Sequence, residues 1–130
     1  MRVWIYTRLS NDDDPERDSL QNQERICREF AAQRGDQIVG QSADDNISGM
    51  NFSRRGLSQL TAAVETGRVD GVLVKDLSRL GRHRTQTALF IDYLRERGVR
   101  VVSATEGLDT FREEDDLIIG VRGLMNDYYA

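Results

Sequence analysis

The chain has 130 residues, 38% hydrophobic and 31% charged, the size of one domain that can bury a core without disulfides or structural zinc. A solitary cysteine, Cys27, and a solitary histidine, His83, exclude an internal disulfide and a Cys/His zinc cluster, and confine any histidine-assisted nucleophile to His83. The net charge of -4, the lack of any apolar run near the ~20 residues of a membrane span and a start, MRVWIYTR, without a signal-peptide pattern set the expectation of a cytoplasmic protein with no membrane partner.

Residues Val3 to Thr7 read as a buried strand. After a cap at Asp18 or Ser19, Leu20, Cys27, Phe30 and Ala31 repeat at helical spacing up to Gly35, which places Cys27 in the core. Ile38 to Ser42 form a second strand. Leu57, Leu60 and Val64 mark a second helix closed by Gly67. Val72 to Val74 read as a third strand, and Thr87, Phe90, Ile91 and Leu94 as the apolar face of a third helix closed by Gly98. Val99 to Ser103 give a fourth strand. A last helix runs from about Glu113 to the end with acidic residues in its first turn, where the helix dipole favours them. The order βαβαβαβα predicts an α/β domain on a mainly parallel sheet of four to five strands flanked by helices.

Of the 18 basic residues 17 are arginine, and Lys75 is the one lysine. Arginine offers a planar fork of donors that grips phosphate in two places. Between Arg54 and Arg84 seven basic residues face three acidic ones, a local net of +4, whereas Asp109 to Asp127 carries -4. A basic middle in an acidic whole suits a built phosphate site better than a general coating of nucleic acid by charge.

In a parallel sheet functional groups gather in the loops after the strands. The first strand leads into Tyr6, Arg8 and Ser10, which share one face if the period of two continues. The second leads into Asp44, Asp45, Ser48 and Gly49, with Arg54 following. The third leads into Ser78, Arg79 and Arg82, the two arginines three apart, as on one helical turn.

These segments carry a resemblance. Tyr-x-Arg-x-Ser at Tyr6, Arg8 and Ser10, Ser-Leu-x-x-Gln from Ser19 to Gln23, Ser48-Gly49 with Arg54 after it, and Leu-Ser-Arg-Leu-Gly-Arg from Leu77 to Arg82 resemble, over nearly the whole chain, the catalytic domain of the serine recombinases, the resolvase/invertase superfamily. The Ser-Arg-Leu-Gly-Arg variant and the acidic run after Ser10 look most like the large serine recombinases of phages and conjugative transposons.

The resemblance implies a resolvase-like fold and site-specific recombination of double-stranded DNA without metal, ATP or other cofactor. Ser10 would attack the scissile phosphodiester, with Arg8, Arg79 and Arg82 on the non-bridging oxygens and Arg54 in support. Tyr6, Gln23, Ser48 and Ser78 would have supporting roles, Tyr6 and Gln23 orienting their neighbours. No residue stands out to take the proton from Ser10. The resemblance also implies that the last helix, through Leu117, Val121, Leu124 and Tyr128, joins subunits into a homodimer that assembles into a homotetramer in synapsis. Residues 1–130 would then be the catalytic domain, ending within or after that helix, without the DNA-binding region.

A competing class is a metal-dependent phosphoryl-transfer or receiver-like domain, in which Asp12, Asp13, Asp14, Asp44 and Asp45 would gather around magnesium. A third is a non-catalytic interaction module presenting the final helix.

Overall fold

The first strand is the axis of the molecule. In the computed structural model, which describes residues 1–46, 54–81 and 83–115, β1 (Arg2–Leu9) pairs in parallel with β2 (Gln37–Asp45) on one side and β3 (Gly71–Val74) on the other. β4 (Arg100–Ser103) continues the parallel sheet beyond β3. The two-residue β5 (Leu108–Asp109) closes that edge antiparallel, giving the order β2-β1-β3-β4-β5.

Alternation along the strands divides the core into two layers, as the pleat requires. Val3, Ile5, Leu73 and Val102 face α1 (Leu20–Arg34) through Cys27 and Ala31. Tyr6, Val72, Val74 and Val101 face α2 (Arg55–Glu65) and α3 (Arg84–Glu96) through Leu60, Val64, Ile91 and Leu94. Crossovers of parallel strands are right-handed, so reversing direction after β2 puts the next helices on the opposite face. The chain steps outward from β1 to β2 and then back past β1 to β3. That reversal leaves a crevice at the carboxyl ends of β1 and β3, the switch point at which α/β sheets bind ligands.

Among the described residues the predicted strands and the first three helices stand within a few residues of their expected bounds. Ser19 caps α1, its hydroxyl accepting from the Asn22 amide at 3.1 Å, and Gly35 ends the helix in the left-handed region at φ 73°. The Trp4 ring lies over Gly40, where a Cβ would meet it at 2.2 Å. Its indole donates to Ser42 Oγ at 2.9 Å, and Ser42 Oγ donates in turn to the Gly56 carbonyl at 2.7 Å, tying β1 and β2 to the first turn of α2. Helical backbone begins at residues 113–115. Leu117, Val121, Leu124 and Tyr128 of the expected interface helix, and likewise Ser48 and Arg82, lie outside the described residues. No described helix is long and apolar enough to cross a membrane.

Candidate active site

The end of β1 is fixed from below by one buried amide. Gln23, fully buried on α1, accepts from the Arg8 amide at 3.2 Å and donates to the Arg8 carbonyl at 2.9 Å and the Asp18 carbonyl at 2.7 Å. A glutamine side chain supplies both an acceptor and a donor, so it acts as a surrogate strand for one residue and aims the chain into the next turn. That turn spans Ser10 to Asp13, the Asp13 amide donating to the Ser10 carbonyl at 3.1 Å. Asp13 Oδ2 reaches back and accepts both the Ser10 amide at 2.8 Å and the Ser10 hydroxyl at 3.2 Å.

The end of β3 supplies the cations. Asp76 caps a 3₁₀ turn over Leu77–Arg79, accepting from the Ser78 amide at 3.1 Å. The turn aims Arg79 back across the sheet, where its side chain is only 4% exposed. Arg79 Nη1 donates to Asp13 Oδ2 at 2.7 Å and the Arg8 carbonyl at 2.9 Å, and Nη2 donates to Asp76 at 3.2 Å. Arg8 Nη2 donates to the Ser78 carbonyl, so each strand end holds the other. Burial opposes the charge on Arg79, but Asp76 and Asp13 more than offset it, and the guanidinium is held more firmly cationic than usual.

Asp18 lies beneath this layer, buried, paired with Lys75 Nζ and 3.6 Å from Arg79 Nη2. Burial works against its ionisation, yet hydrogen bonds from Lys75, the Asp14 amide and Arg17 outweigh it and hold its carboxyl at about 2.

A second carboxylate organises the other wall. Asp44, 1% exposed at the end of β2, accepts from Tyr6 Oη at 2.7 Å and from the first amides of α2, Gly56 at 2.7 Å and Leu57 at 3.1 Å. An anion at a helix N-terminus satisfies otherwise orphaned donors. Burial, reinforced by Asp44, pushes the Tyr6 phenol well above its ordinary range, so it remains a proton-bearing strut. Arg54 stands immediately before α2. A cleft of about 620 Å³ opens between α2 and α3, its lining including Tyr6, Arg8, Asp44, Arg54, Arg79 and Phe90.

The structure therefore brings Arg8, Ser10 and Arg79 together at the crevice, with Gln23 and Tyr6 holding the strand ends and Arg54 on the cleft wall. Two local expectations need correction. β1 ends at Leu9, so Ser10 opens a turn and does not share the strand's alternation with Tyr6 and Arg8. The turn carrying Arg79 is 3₁₀ and closes at Leu80, where a turn of α-helix was expected.

The aspartates of the magnesium reading are divided among separate tasks. Asp13 binds Ser10 and Arg79, Asp14 accepts the Glu16 and Arg17 amides, and Asp44 clamps Tyr6 to α2. Among the described residues no group of three or more His, Cys, Asp or Glu is arranged to hold a metal ion. Sequence reasoning missed Asp13 and Asp18 as partners of the serine and the arginine. The Ser-x-x-Asp spacing of a capping box was a usable signal for Asp13.

Comparison with known proteins agrees with this architecture. The family model described as the resolvase N-terminal domain matches residues 3–130, and the chain belongs to that family. It is 30% identical over 121 residues to the transposon Tn3 resolvase of Escherichia coli, covering 93% of this chain and 60% of the resolvase. The chain thus spans less than two thirds of the length of that relative.

Among solved structures, the N-terminal catalytic domain of TP901-1 integrase superposes with a TM-score of 0.79 at 26% identity, covering 98% of this chain and 95% of that one. A resolvase family site-specific recombinase from Streptococcus pneumoniae shares the fold at TM-score 0.80 and 23% identity, covering 98% and 89%.

Proposed function

We propose that this chain is the catalytic domain of a site-specific DNA recombinase that uses Ser10 as its nucleophile. The observation that carries the reading is the placement of the Ser10 hydroxyl at the switch-point crevice, with Arg8 and Arg79 brought to it from two adjacent strand ends, in a chain of the resolvase family.

Ser10 Oγ attacks the scissile phosphorus, forms a phosphoserine bond to the 5′ end and releases a 3′ hydroxyl. The new ester retains the bond energy, so resealing after strand exchange needs no nucleotide cofactor. Charge developing on the non-bridging oxygens calls for preorganised cations, each such donor contributing ~10²–10³ in rate. Arg8, Arg79 and Arg82 fill that role, with Arg54 at the cleft wall. Arg79 reaches phosphate by exchanging one of its carboxylate partners.

The partners in this reading are duplex recombination sites and other copies of the chain, a dimer becoming a tetramer in synapsis through Leu117, Val121, Leu124 and Tyr128. The test is Ser10→Ala in the full-length protein, assayed for covalent protein–DNA adduct. Loss of the adduct with fold and DNA binding intact supports the assignment, and an adduct formed by the variant ends it. Cleavage by the wild-type protein in EDTA is expected to persist, whereas the carboxylate–magnesium reading requires its loss.

A further inference from the structure

A serine hydroxyl is a poor nucleophile until its proton has somewhere to go. Tyr6 donates its own proton to Asp44 and Lys75 is paired with Asp18, whereas His83, the N-cap of α3, lines the cleft without a hydrogen bond to Ser10. Among the described residues one group hydrogen-bonds the hydroxyl. Asp13 Oδ2 lies 3.2 Å from Ser10 Oγ and 2.7 Å from Arg79 Nη1, with its side chain 14% exposed. A nucleophile within hydrogen-bond reach of a base that a third group orients is the arrangement shared by activated hydroxyl sites, and such contacts are often long before substrate binds. An aspartate takes the hydroxyl proton in protein-kinase phosphoryl transfer as well.

Resting on the reading of Ser10 as nucleophile, we infer that Asp13 is the proton acceptor of the cleavage step and the proton donor of the resealing step. In cleavage the Ser10 proton passes to Asp13 Oδ2 and an oxygen lone pair forms the Oγ–P bond. The P–O3′ bond breaks with its electron pair on O3′, which takes a proton from water. In resealing the 3′ hydroxyl attacks phosphorus and gives its proton to water. The Oγ–P bond breaks, and Asp13 returns its proton to Ser10 Oγ.

The charged groups around Asp13 divide the labour: Arg79 binds it directly, Asp76, Asp18 and Lys75 surround Arg79, and Arg8 accepts from Arg79 through its carbonyl. When Arg79 turns to an incoming phosphate, the carboxylate is released to accept the proton.

Asp13→Asn keeps an acceptor oxygen for the Ser10 amide and for Arg79 but cannot take a proton. In the full-length protein on its own crossover site, single-turnover adduct formation is expected to slow by ~10²–10⁴. In that variant the rate should then climb in proportion to hydroxide concentration, because hydroxide replaces the missing base, while wild type does not follow hydroxide. Asp13→Glu should recover part of the rate without hydroxide dependence.

A variant that cleaves within a few fold of wild type, or a slow variant whose pH profile parallels wild type, overturns the inference. Ser10→Ala run alongside separates this from failure of the nucleophile assignment, since an adduct there sinks the underlying reading. Should Asp13→Asn fail to fold, Asp13→Glu decides. Cleavage independent of hydroxide upholds the role, and cleavage proportional to hydroxide refutes it.

Discussion

Arg79 holds the candidate site together within the chain itself. Its guanidinium links the turn after β1 to the turn after β3, and Asp18 anchors the same layer through Lys75. Removing one partner from a buried ion pair typically costs ~3–5 kcal/mol. Asp18→Asn is therefore expected to lower unfolding stability by ~3 kcal/mol, read by denaturant titration.

The sign with pH follows from the direction of the shift. Asp18 is held at about 2 when folded, against an ordinary 3.8, so its contribution is complete above that ordinary value and is lost as pH falls towards 2. The variant should lose less stability than wild type on acidification through that window. Arg8→Lys should impair cleavage nearly as much as Arg8→Ala, because an ammonium cannot donate to the Ser78 carbonyl and grip a phosphate through a planar fork at once. Near-normal adduct formation by the lysine variant would reduce Arg8 to a generic charge.

Ser10, Arg8 and Arg79 could be singled out in the sequence because the proposed phosphate chemistry would call for their residue types. Asp13 and Asp44 stand out there only as magnesium ligands and Asp18 only as a helix cap, not in the roles they play here. Their work is to hold other side chains across loops, and an acidic run reads as solvated until the fold closes over it.

Among the elements, the register of α2 on β2 has the least slack. Asp44 receives the first helical amides, and a Cβ on Gly56 would meet the Ala43 carbonyl oxygen at 2.6 Å, backbone against backbone. Gly56→Ala should force the helix start away from the strand, costing ~1–3 kcal/mol as an overpacked core does. Thermal unfolding should show the drop, and the displaced Arg54 should weaken DNA cleavage beyond what stability alone accounts for. An unchanged melting temperature would mean that the helix start yields without cost.

The four parallel strands were readable from their apolar runs and the helices from apolar spacing bounded by Ser19, Gly35, Gly67 and Gly98. β5 was not named, since two residues carry no periodicity. Its place is fixed by tertiary bonds instead, the Val101 amide donating to Thr110 Oγ1 at 2.9 Å and Arg100 pairing with Asp109 at 3.0 Å.

At the scale of the whole molecule, strand order decides where the site lies. The sequence singled out the loops after β1 and β3, but not that β1 and β3 would be neighbours with their loops bonded to each other, because pairing of strands distant in sequence leaves no local trace. Assembly belongs to this scale too. Leu117, Val121, Leu124 and Tyr128 lie outside the described residues; if they join subunits as proposed, Val121→Asp should shift the domain toward monomer with little change in melting temperature. Sedimentation at several concentrations measures it, and a variant that unfolds would place these residues in the domain's own core.

Trp4 is the only tryptophan in the chain, and its indole ends the chain of hydrogen bonds that runs through Ser42 to the carbonyl of Gly56. The protein thus contains an intrinsic fluorophore wired to the helix start that carries Arg54. Excitation near the indole band, with no label attached, should report in real time any tightening of that helix on a bound polyanion as a change in emission maximum or quantum yield.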